Sequence, residues 1–67
     1  MTVKNLIRMD TSINSSSIIT IIVVDDLGEE IKRRYALASE IIKDSEMSKY
    51  KVETFRHYSS LEIFTKG

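Results

Sequence analysis

Two adjacent aspartates, Asp25 and Asp26, follow directly on an apolar run and are the residues of this sequence best placed to do chemistry. Paired carboxylates at a rigid strand end offer oxygen ligands to Mg²⁺, which takes one or two carboxylates and keeps several waters. The pair also has a plainer use, with Asp26 as the N-cap of a following helix and Asp25 solvated at the strand end. On residue types alone both readings stay open. The rest of the chemical inventory is thin. The 67 residues contain no cysteine, which excludes disulfides and thiolate metal sites. The single histidine, His57, has no nucleophile or acidic orienter at a diagnostic spacing and reads as a turn residue. Ser15, Ser16 and Ser17 have no base partner, and there is no glycine-rich phosphate loop. Lys32, Arg33 and Arg34 form a basic cluster, but Glu29, Glu30 and Glu40 dilute its field, so it reads as the solvated face of a helix.

The elements that must position the acidic pair come next. Ile18 to Val24 is β-branched at every position and apolar at all but Thr20. A strand exposed on one face alternates; unbroken apolarity predicts a strand covered on both faces, as in a parallel α/β sheet. Leu27, Ile31, Tyr35, Ala38 and Ile42 then fall on a single stripe, predicting a helix from Glu29 to Lys43 or Asp44 with Tyr35 in the core. Tyr50 to Phe55 alternates and predicts a shorter strand nearer an edge. Ser59 and Glu62 have capping-box spacing, predicting a helix with Leu61 and Phe64 inward and Gly67 at its end. Before all of these, residues 1–17 read as an N-terminal arm. Thr2 to Met9 fits helix or strand spacing, with an edge strand preferred, and Asp10 to Ser17 is a serine-rich linker. The expected fold is α/β: a small βαβα unit over 18–67 with parallel strands and a right-handed crossover.

Composition bounds the function classes. The formal net charge is zero, so no global field draws in nucleic acid or an anionic membrane. Hydrophobic content of 42% lies close to the ~45–50% of globular domains. The longest apolar run is far short of a membrane span, and the first residues lack the pattern of a signal peptide. A cytoplasmic, soluble protein is the expectation.

At Ile18–Asp26 the sequence resembles the receiver domain of two-component response regulators, whose first strand ends in an acidic pair. The helix over 29–43, the strand YKVETF and the segment SSLEIFTK resemble the family's next three elements. The resemblance spans about residues 18–67 and only the first two βα units, half of a flavodoxin-like sheet. It implies that Asp25 and Asp26 help bind Mg²⁺. The family's phosphoacceptor aspartate and its later switch residues have no counterpart in these residues, so the expected function is non-catalytic.

Two function classes follow. One is a receiver-like interaction module that self-associates, forming a homodimer whose joined sheet is larger, or binds a signalling partner. The other is a small stand-alone phage or mobile-element effector that inhibits a host protein by occupying its surface. In the first class the contact residues are Ile18, Ile19 and Ile21 on the apolar strand, with Tyr50, Phe55 and Tyr58, which are either core or a contact patch.

Overall fold

The β-branched run Ile18–Val24 forms the strand its composition predicts, and every other element is arranged around it. The computed structural model describes residues 1–66. It contains α1 (Val3–Met9), β1 (Ile18–Val24), β2 (Glu30–Leu37), α2 (Ala38–Lys43), a 3₁₀ turn (Met47–Lys49), β3 (Thr54–His57) and β4 (Leu61–Lys66). The strands make one four-stranded mixed sheet in the order β2-β1-β4-β3. It is two hairpins, β1–β2 and β3–β4, joined side by side by parallel pairing of their inner strands β1 and β4.

This architecture corrects the expected βαβα unit. A parallel pair exists, but it joins β1 to β4, in the segment where a capping-box helix was expected, and not to the expected strand at 50–55. Leu61, Ile63 and Thr65 are buried while Glu62 and Phe64 are only partly so, a period-two pattern that a strand satisfies. The expected helix over 29–43 is divided, with 30–37 forming β2 and only 38–43 helical. The expected strand at 50–55 begins later, at Thr54, because Tyr50 and Val52 pack against the hydrophobic core beside the helices. The helical end expected at Gly67 lies outside the described residues.

The N-terminal segment is a helix and not an edge strand. Thr2 caps it by accepting the Asn5 N–H at 3.3 Å, and Val3, Leu6 and Ile7 form its buried face at i, i+3 and i+4. Backbone bonds from Val3 N–H to Tyr50 C=O and from Val52 N–H to Met1 C=O stitch it to the middle of the chain. Val3, Leu6 and Ile7 therefore belong to the same core as the sheet, with Ile13 packed against it.

One face of the sheet carries a layer made of α1, α2 and the 3₁₀ turn. Val3, Leu6, Ile7, Ala38, Ile41 and Met47 pack there with Ile19, Ile21, Leu61 and Ile63. Among the described residues no helix covers the other face. Ile22 is nevertheless only 1% exposed, lying between Arg33 of β2 and Phe64 of β4 in the register. The Arg56 guanidinium sits 5.3 Å from the Phe64 ring centroid and pairs with Glu62. Long side chains with apolar stems and charged tips thus do on this face what helices do on the other. Among the described residues no helix is long and apolar enough to cross a membrane.

Ile41 and Ile63 face each other's layers at zero exposure, so truncation leaves a cavity on either side. Ile41→Ala or Ile63→Ala should each cost about 2–5 kcal/mol, and Ile63→Val about 0.5–1.5 kcal/mol. Urea unfolding measures both. The alanine losses are comparable with the whole stability of a domain this size, so those variants should be largely unfolded.

Candidate protein interface

The acidic pair lies in the β1–β2 hairpin turn. Asp25 Oδ1 accepts the N–H groups of Leu27 and Glu29, each at 2.9 Å, and its C=O accepts the Gly28 N–H at 3.0 Å. Gly28 takes φ of +81°, a conformation costly for residues with a Cβ. An aspartate starting a turn and a glycine three residues later suit a type I turn closed by a left-handed residue. Just beyond it the register skips Ile31, so that Val23 faces Lys32 and Val24 faces Glu30. There is no helix for Asp26 to cap, and it is exposed. One carboxylate oxygen of the pair is already committed to two backbone donors, and no group of three or more metal-ligating side chains exists among the described residues.

A second polar constellation joins distant parts of the chain. Asp10 Oδ1 accepts the Ser12 hydroxyl at 2.6 Å and the Ser12 N–H at 3.0 Å, and Oδ2 lies 2.9 Å from His57 Nε2. The carboxylate therefore stands between serine and histidine. Nucleophilic catalysis needs the imidazole against the hydroxyl, with the carboxylate behind it. The group instead clamps the loop after α1 to β3. The two hydrogen bonds from Ser12 hold the Asp10 carboxyl below its ordinary value against desolvation, with a lesser contribution from His57.

The expected contact residues separate into three groups. Ile19 and Ile21 are buried under the helical layer and form no free surface. Tyr50 is partly buried; its hydroxyl donates to Glu46 Oε1 at 2.6 Å, and that bond together with burial raises its pKa. Ile18, Phe55 and Tyr58 are exposed, Ile18 at 57%. Ile18 does not stand alone, because the register sets Leu37 opposite it and Tyr35 opposite Thr20. Tyr35, expected in the core, is 65% exposed. Ile18, Tyr35 and Leu37 thus form an apolar row beside the free edge of β2.

The edge itself is open. The Ala38 N–H reaches inward to the Ser17 C=O, so the antiparallel alternation turns the backbone groups of Leu37, Tyr35 and Arg33 outward. The Leu37 N–H does point out, since the Glu40 side chain accepts it at 3.1 Å. Among the described residues no strand pairs with this side of β2. On the open face Arg33 forks onto Glu30, with Nη2 to Oε1 at 2.7 Å, and its Nη1 reaches the Tyr35 hydroxyl at 3.4 Å. This contact raises the Arg33 pKa and lowers that of Glu30. No protein family, curated protein or solved structure matches the chain.

Tyr35, Leu37 and the edge were missed because the apolar stripe through 27–42 also has helical spacing. The signal that finds them is Asp-Asp-Leu-Gly after a strand, a hairpin turn in which the glycine supplies positive φ.

Two predictions test these roles. Asp25→Ala should destabilise the fold by about 1–2 kcal/mol through the lost turn bonds, Asp25→Asn by less, and millimolar Mg²⁺ should leave the unfolding midpoint of each unchanged. Asp44 is also held below its ordinary value, by the backbone N–H groups of Met47 and then Glu46. A carboxyl with a lowered folded pKa contributes fully above its unfolded value and loses that contribution as pH falls through the folded one. Stability should therefore drop from about pH 4 downward. In urea melts the Asp10→Asn/Asp44→Asn variant should show a shallower drop than wild type; an equal drop places the acid sensitivity elsewhere.

Proposed function

We propose that this protein is a non-catalytic interaction module that binds other proteins by accepting an extra strand along β2. The observation that carries this reading is the β2 edge, which pairs with no strand among the described residues and turns the backbone groups of Arg33 and Tyr35 outward beside the exposed row Ile18, Tyr35 and Leu37. An edge strand of that kind templates a further strand, whose backbone bonds give affinity and whose side chains give selectivity. The polar clusters favour the same reading, since the acidic pair shapes a turn and the serine–aspartate–histidine group has the wrong order for catalysis. The hairpins in place of βα units put the weight of the reading on the edge itself.

A backbone substitution tests it. The Tyr35 N–H points away from β1, so Tyr35→Pro removes an edge donor without breaking a bond inside the sheet, while Tyr35→Thr keeps the donor and trims the ring. Cross-linking in the source cell should give an adduct with wild type and Tyr35→Thr that Tyr35→Pro loses at unchanged fold. An adduct equal in all three assigns binding to another surface.

A further inference from the structure

Strand addition leaves open what kind of segment β2 takes, and the charges along it narrow the choice. The strand carries Lys32, Arg33 and Arg34 in succession against Glu30 alone, a net +2 from three cations and one anion, in a chain of zero net charge. Arg33 is held by Glu30 on the open face. Arg34, on the helix-covered face, is near enough to Asp44 and Tyr50 for its charge to favour their anionic forms. Lys32 shares that face and is in no ion pair among the described residues. Positive charge is concentrated at the edge where a new strand would dock.

A second copy of this chain is a poor occupant. Antiparallel pairing must join outward-facing groups to each other, so the two registers of greatest overlap are centred on Arg33 and on Arg34. The first sets Arg33 against its own copy and Lys32 against Arg34 twice. The second sets Arg34 against its own copy. Like charges directly opposite one another destabilise a ladder, and cations on an edge are a known guard against self-pairing. The far edge, β3, carries Arg56 and His57, so joining β3 to β2 also brings basic strands together.

We infer that the segment accepted by β2 is an extended acidic one in which carboxylates alternate with apolar residues. This rests on the strand-addition reading. The alternation follows from the two faces of β2. Lys32 and Arg34 lie on the helix-covered face and call for carboxylates. Tyr35 and Leu37, with Ile18 beside them, lie on the open face and call for apolar side chains. Glu40 holds the Leu37 N–H at one end of this edge, so the outward donors open to a new strand are those of Arg33 and Tyr35.

The test uses the full chain and two capped ten-residue peptides, one alternating Glu and Val, the other Lys and Val, with amide NMR shifts as readout. The Glu/Val peptide should shift the amides of 31–37 and bind at least about tenfold more tightly than the Lys/Val peptide, weakening as salt screens the contact. Lys32→Glu/Arg34→Glu should reverse the preference, and Tyr35→Pro should abolish both. Equal binding of the two peptides, still lost in Tyr35→Pro, overturns the acidic assignment while leaving strand addition standing. No shift at 31–37 with either peptide overturns both. Sedimentation at about 100 μM should give a monomer; a dimer that Tyr35→Pro dissociates makes a second copy the occupant and also overturns the inference.

Discussion

The structure depends on one strand being buried from both sides by two different devices. β1 has apolar residues on each face and occupies an inner position, between β2 and β4. Below it the helices bury Ile19 and Ile21 conventionally, against Val3, Leu6, Ile41 and Met47. Above it the described residues form no second layer of secondary structure. There Ile22 and Thr20 are buried in a sheet whose flanking positions carry Arg33, Tyr35, Glu62, Phe64 and Arg56. A chain of this length has too little surface left to bury for a full third layer, and long amphipathic side chains are the economical cover. The guanidinium tips stay in water, where their pairing with Glu30 and Glu62 contributes little by itself but fixes the stems over the strand.

That division explains which parts of the fold were legible in the sequence. β1 was legible because seven consecutive β-branched residues have no competing helical reading. Its double burial was legible too, but the inference from double burial to flanking helices was not secure, since arginine stems cover apolar surface without looking apolar. The stripe Leu27, Ile31, Tyr35, Ala38 and Ile42 misled for a related reason. Its first part is a strand and its last part a helix, and a periodicity summed across the junction at Leu37–Ala38 belongs to neither. At the other end, Ser59 and Glu62 have the spacing of a capping box. The alternation of Leu61, Ile63 and Thr65 against Glu62 and Phe64 overrides it, because those three residues must face the helical layer. Tertiary burial decided what local signals left ambiguous.

The candidate site divides in the same way. Asp25 and Asp26 were visible from residue type, but what they do is set by the element that follows. Before a helix, paired carboxylates are a cap or a ligand set; before a second strand, one of them becomes the organiser of the turn. The choice turns on Gly28, which supplies a left-handed residue where the chain reverses, and on Asp25 accepting two N–H groups that the reversal would otherwise leave to solvent. The serine–aspartate–histidine group was not legible at all, since Asp10 and His57 are 47 residues apart and meet only because α1 and the β3–β4 hairpin belong to one core.

Turning 30–37 from helix into edge strand also changes the meaning of the basic cluster. On a helix, Lys32, Arg33 and Arg34 would point in three directions, each diluted by a neighbouring glutamate. On a strand they are distributed over two faces of a single open edge, with the backbone groups of Arg33 and Tyr35 exposed between them. The same three residues then act in two opposed ways. They set like charges against each other in the most extensive self-pairings of the edge, which protects a small protein with exposed Ile18 and Tyr35 from growing into a larger sheet. They also leave the edge attractive to a strand of opposite charge. An edge that repels its own kind while keeping the backbone groups of Arg33 and Tyr35 free is selective by construction, because the backbone supplies adhesion to any strand and the cations decide which strands come close enough to use it.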